Sequence, residues 1–157
     1  MKQHLYTLTT QWTGNRGAGT SGYTTYDRSH TISISEKADI LCSSDPGFRG
    51  DKTKHNPEEM LVASLSSCHM LWYLHLCADA GIFVTDYQDN PVGIMEEYGN
   101  GGGHFIEVTL RPMVTITDKS KKDAALELHH KANELCFIAN SVNFPVHHDA
   151  EIVITGK

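Results

Sequence analysis

The stretch from Asn56 to Gly81 constrains the fold more than any other part of this chain. Asn56-Pro57-Glu58-Glu59 is a helix start. The Asn side chain can accept from the amide of Glu59, Glu59 can bond back, and Pro57 suits the first helical position. The spacing predicts a helix from there to about Ala80, ended by Gly81. Met60, Leu61, Val62, Leu65, Met70, Leu71, Trp72, Leu74 and Leu76 fall on nearly every face of it. A helix that is apolar all round is expected to be buried. Its ~24 residues span ~36 Å at 1.5 Å each, which is long for a chain of 157 residues to bury alone.

Around this helix the pattern alternates. Leu5 to Trp12, Tyr23 to Tyr26 and His30 to Ser35 read as strands, with a glycine turn at 13–19. Residues from about Glu36 to His55 read as a long irregular loop, a length that is often functional. Val92 to Tyr98 and His104 to Thr117 are the arms of a hairpin with the flexible tip 99–103. Ser120 with Asp123 opens a second helix, whose apolar stripe is Ala125, Leu128, Ala132, Leu135 and Ala139. Asp149 to Thr155 is a final alternating strand. The order predicts an α+β fold in a single domain over residues 1–157.

The formal charge of −6 argues against a nucleic-acid partner. No signal peptide is visible at the start, and no uninterrupted run approaches the ~18 apolar residues of a membrane span. The expected compartment is the cytoplasm, where thiols stay reduced. The four cysteines, Cys42, Cys68, Cys77 and Cys136, form no C-x-x-C pair. Cys42 and Cys77 read as small apolar core residues. Among the ten histidines, His129, His130, His147 and His148 could converge with Cys136 on a metal. However, His129 and Cys136 lie ~10.5 Å apart along one helix, and no zinc-type spacing is present. Surface histidines are the expectation, with no resident metal or cofactor. Ser64, Ser66 and Ser67 near His69 form no G-x-S-x-G elbow, which argues against serine hydrolysis.

Cys68 and Cys136 fall on the two predicted helices, far apart in sequence. Asn56-Pro57-Glu58-Glu59-Met60-Leu61, followed by Ala63-Ser64-Leu65-Ser66-Ser67-Cys68, resembles the hallmark segment of the OsmC/organic hydroperoxide resistance (Ohr) superfamily. The order of elements is similar over nearly the whole chain. The resemblance implies antiparallel sheets wrapped around long central helices in an intertwined homodimer. It also implies a cysteine-based peroxidase of the oxidative stress response, reducing organic hydroperoxides to alcohols. Cys68 would be the peroxidatic thiolate and Cys136 the resolving thiol. Arg16, in the turn 13–17, would stabilise the thiolate, and Glu58 would hold the arginine. Arg49, in the loop from Glu36 to His55, is the alternative thiolate partner. The reductant would be an external dithiol such as a lipoyl group, with no other cofactor.

The chemistry needs those residue types. The thiolate is the nucleophile, and a nearby guanidinium favours it. Arginine stays charged and can grip a carboxylate through two donors. A second thiol condenses with the oxidised first one before over-oxidation. Glu58 and Cys68, ten residues apart, are separated by ~15 Å along one helix. They could share a site if two copies of the helix crossed antiparallel near the small residues Ala63, Ser64, Ser66 and Ser67. Met70, Leu71 and Trp72 beside Cys68 favour a greasy peroxide. Phe137 and His69 stand where many members carry a proline and an apolar residue, so the subgroup, peroxide and reductant stay open. The rival reading is a non-enzymatic OsmC-fold redox sensor or binder of an apolar small molecule.

Overall fold

A computed structural model describes residues 1–155 in two compact units, the first comprising Met1–Leu61 and the second the chain from Val62 onward. In the first unit, β1 (Thr9–Trp12), β2 (His30–Ser33) and β3 (Ile40–Cys42) form an antiparallel sheet in that order. The expected strand at Tyr23 to Tyr26 is instead a series of turns. The Arg28 guanidinium explains it, lying 4.4 Å from the Tyr23 ring and 4.2 Å from the Tyr26 ring while donating to the carbonyls of both residues. Those carbonyls bond a side chain rather than a neighbouring strand. Likewise Leu5 to Leu8 lie outside β1. The loop expected from Glu36 to His55 contains β3 and a 3-10 turn at Pro46–Phe48, which Asp45 caps by accepting from the Gly47 amide.

Helix α1 (Pro57–Asp79) follows the expectation closely. The Asn56 side chain accepts from the Glu59 amide at 2.8 Å, and the Asn56 amide donates to the Glu59 carboxylate at 3.3 Å, so the capping box forms. Gly81 ends the segment at φ 63, a left-handed conformation that glycine adopts without penalty. The burial is not what the composition suggests. Only Leu65, His69, Tyr73 and Cys77 are buried, one stripe at four-residue intervals. Ala63, Ser67, Leu71 and His75 form an exposed stripe with the same interval. By length and a mean hydropathy of 1.3, α1 would also suffice to cross a membrane. The average reaches that level although serines and histidines interrupt every apolar run.

The rest of the second unit is two three-stranded sheets and one helix. β4 (Val84–Asp89), β7 (Pro112–Ile116) and β9 (Glu151–Ile154) form one sheet in the order β4-β7-β9. β5 (Val92–Glu97), β6 (Gly103–Leu110) and β8 (Val146–His148) form the other in the order β5-β6-β8. The predicted second hairpin arm is therefore two strands, broken at Arg111. Asp89 fixes the break: one carboxylate oxygen accepts from the Arg111 amide at 2.6 Å and the other from the Ser66 hydroxyl of α1. β8 and β9 pair in parallel with β6 and β7, so the sheets are mixed rather than antiparallel throughout. α2 (Lys122–Leu135) follows a 3-10 turn at Lys119–Lys121 that Asp118 caps through the Ser120 amide. Two apolar clusters fill this unit. Tyr73, Cys77, Ile82, Val114, Ile116, Ala125, Ala132 and Ile152 form one, and Leu65, Val108 and Leu110 the other.

Candidate functional site

Cys68 directly precedes the buried His69, at the edge of the buried stripe of α1, and is half-buried, whereas Cys136 is fully buried. Cys136 does not belong to α2, as the apolar stripe suggested. It is the residue that ends it, in an extended conformation at φ −65 and ψ 112. Where the chain leaves the helix, the Cys136 thiol lies close enough to Cys68 for the two side chains to interact. The Ala139 amide donates to the Cys136 sulfur at 3.4 Å. Burial first, and then the interaction with Cys68, push the Cys136 thiol up to about 11. All four cysteines are free thiols.

Cys68 opens onto a cavity of about 400 Å³ lined by Leu71, Trp72, His75 and Phe137. Trp72 stands edge-on to His75 and to Phe137, at 5.8 Å and 5.9 Å between ring centres. Phe137 is 71% exposed, so one wall is a single ring held from one side. At the far rim the His75 ring lies 3.5 Å from the Asp79 carboxylate. The chamber can accept an apolar group and present its polar end to a sulfur.

The charged residues expected to serve this site are engaged differently. Arg16 donates to the Thr24 carbonyl and approaches Asp27 at 3.6 Å within its own loop. Glu58 keeps one carboxylate oxygen buried with no hydrogen bond, so Arg16 does not satisfy it here. Arg49 holds a left-handed backbone at φ 65, uncommon for a residue with a side chain. With Arg28, Lys54, Asp27 and Asp51 it lines a polar cavity of about 410 Å³ in the first unit. Thus the two cysteines come together, while Glu58 carries an unfilled acceptor.

Sequence reasoning missed the most buried polar group. His69 and His129 are almost fully buried and joined by a 2.9 Å bond between His69 Nε2 and His129 Nδ1. Tyr73 stacks on His129 at 3.8 Å, and the His148 ring of β8 lies 5.7 Å from His69. Burial, reinforced by His148, pushes His69 down to about 4. Burial, reinforced by His69, His148 and His130, pushes His129 down to about 3. The readable signal was position, since His69 continues the Leu65–Tyr73–Cys77 spacing and His129 falls between Ala125 and Ala132. Among the described residues, no group of three or more His, Cys, Asp or Glu side chains is arranged to hold a metal ion.

The fold agrees with comparisons to known proteins. The model of the OsmC-like protein family matches residues 50–151. The chain belongs to the OsmC-like family. It is 33% identical to an OsmC-like protein of unknown function from Vibrio cholerae, with a TM-score of 0.83 over 96% of this chain and 99% of that one. It is 26% identical to the uncharacterized protein YmaD of Bacillus subtilis over the full length of both. An organic hydroperoxide resistance protein from Elizabethkingia anophelis shares the fold at 17% identity, with a TM-score of 0.66 over 98% of this chain and all of that one.

Proposed function

We propose that this protein is a cytoplasmic thiol peroxidase that reduces organic hydroperoxides to alcohols. The observation that carries the reading is the contact between Cys68 and Cys136 at the wall of an apolar cavity. The Cys68 thiolate attacks the distal peroxide oxygen, the O–O bond breaks, and the alkoxide takes a proton and leaves as an alcohol. Cys68 is then a sulfenic acid. Cys136 attacks its sulfur, water departs, and a disulfide forms. An external dithiol, of lipoyl type, returns both thiols by exchange. The apolar lining favours an alkyl or aryl hydroperoxide over hydrogen peroxide. A solved organic hydroperoxide resistance protein from Vibrio cholerae, 16% identical, carries captopril in one of its active sites.

The active form is an intertwined homodimer. Leu71 is 64% exposed on the outer stripe of a helix too apolar for solvent. A second copy of α1 crossing at Ala63 and Ser67 would cover that stripe and bring Glu58 of one protomer beside Cys68 of the other. The unfilled Glu58 oxygen would then have a guanidinium to hold, from Arg16 after a change of partner or from Arg49.

The test is steady-state reduction of cumene hydroperoxide and hydrogen peroxide with dihydrolipoamide, beside Cys68→Ser. Turnover that prefers the organic peroxide and disappears in the variant supports the reading. A single oxidation of Cys68 without turnover would make the protein a sensor, and unchanged thiols would sink the redox reading altogether.

A further inference from the structure

Three ties connect α1 and the segment that carries α2. Lys121 Nζ donates to the Gly81 carbonyl at one end, the His69–His129 bond lies midway, and the Cys68–Cys136 contact closes the other end. His69 directly follows Cys68, and Cys136 is seven residues, or ~10.5 Å of helix, beyond His129. The histidine bond therefore adjoins Cys68 directly on α1, and it sets where α2 ends relative to Cys68.

The bond has an unusual constraint. One ring donates to the other, so His69 Nδ1 and His129 Nε2 are left at the ends of the pair. Both are buried and neither has a hydrogen-bond partner. An added proton can be accommodated only as a buried, uncompensated charge. The neighbours offer no relief. His148 from β8 and His130 from α2 would repel such a charge. Tyr73 and Cys77 from α1 and Tyr87 from β4 are held neutral, their ionisation pushed up chiefly by burial.

We propose that His69 and His129 are positioning residues that hold Cys136 against Cys68 while neutral and release it on protonation, making the cysteine pairing pH-dependent. The inference rests on the reading of Cys68 and Cys136 as a redox pair. In the docked arrangement both rings resist protonation down to about 4 and about 3. Undocked, each returns toward the ordinary value of 6.5. Protonation then favours the released arrangement by ~100-fold between pH 7.5 and 5.5, ~10-fold for each ring.

The experiment measures the equilibrium of the Cys68–Cys136 disulfide in dithiothreitol redox buffers, with quenched samples quantified by mass spectrometry. Two protein thiols are oxidised, one cyclic dithiothreitol disulfide is reduced, and its two sulfurs take up the two protons. While all thiols are protonated the exchange itself has no pH dependence. A protein thiolate would favour the reduced form at higher pH, so a fall in the disulfide-forming constant from pH 7.5 to 5.5 reports another titrating group. In the wild type the disulfide-forming constant falls by tenfold or more, toward a limit of ~100-fold. His129→Gln, which can still bond His69 but cannot take a charge, keeps the pH 7.5 value and lowers the limit of the fall from ~100-fold to ~10-fold. His69→Gln does the same from the other side, and the exposed control His147→Gln keeps the fall. Should one glutamine variant fail to fold, the other and the control carry the test. A wild-type profile flat within about twofold overturns the proposal, as does an undiminished fall in both glutamine variants. Absence of any disulfide at pH 7.5 overturns both this proposal and the resolving role of Cys136.

Discussion

Acidification to pH 5 is expected to remove a large share of the stability of this protein. The two central histidines are basic groups whose folded-state values, about 4 and about 3, lie below the ordinary 6.5. Below pH 6.5 the unfolded chain therefore binds protons that the folded chain refuses, and stability is full above that value and lost as pH falls. With two sites the slope approaches ~2.7 kcal/mol per pH unit between about pH 6 and 4, at 1.36 kcal/mol per proton. Between pH 7.5 and 5 the sum is ~4 kcal/mol, against a typical total of ~5–15. His148, lowered chiefly by burial, adds in the same direction. Asp51, Asp118 and Glu134 are held below ordinary carboxylate values, chiefly by side-chain hydrogen bonds from Thr53, Ser120 and Lys131. At pH 5 they are still ionised, so the window isolates the histidines. The assay is urea unfolding at one protein concentration, where ~4 kcal/mol at a slope of ~2 kcal/mol/M moves the midpoint by ~2 M. The double variant His69→Gln/His129→Gln should lose most of that shift. A wild-type shift under ~0.5 M, or an equal shift in the double variant, would refute the assignment of the acid sensitivity to this pair.

Other consequences are separable. Cys136→Ser should leave the first reduction of peroxide intact and leave Cys68 trapped as a sulfenic acid, seen as a mass increase of one oxygen. Asn56→Ala removes the side chain that accepts at 2.8 Å from Glu59 and should cost ~1 kcal/mol in chemical denaturation, while Asn56→Asp should cost less. Gly50→Ala should destabilise strongly, because an added Cβ would stand 1.6 Å from the backbone oxygen of Ser44. Leu71→Asp, on the exposed stripe of α1, should shift light scattering from dimer to monomer. An unchanged mass would place the interface elsewhere.

Much of the architecture was legible because local chemistry repeats itself. The capping box at Asn56 and Glu59 and the glycine at 81 set both ends of α1, and the structure keeps them. What was not legible depends on contacts distant in sequence. β3 and β8 are three residues long, too short for alternation to register, and β8 directly follows Pro145. The Tyr23–Tyr26 segment has strand composition, but its carbonyls are claimed by Arg28. Cys136 continues an apolar stripe in sequence, yet the chain leaves the helix there, with the thiol close to Cys68. The histidine pair was hidden because a single histidine on a helix reads as a wet one. Its spacing within a buried stripe was the better guide. The outer face of α1 shows the converse, since composition suggested burial that one chain does not supply.

The parallel pairing of the last two strands has a consequence for synthesis. β8 meets Val108–Leu110 and β9 meets Met113–Ile116, each partner made 38 residues earlier (146 − 108 and 151 − 113). During translation β6 and β7 therefore each keep one edge open until 38 further residues have been made. At ~5–20 residues per second that delay is ~2–8 s, long compared with the ~1–10 µs in which a local hairpin forms. Each sheet is therefore completed only after the two helices and the cysteine pair have been synthesised.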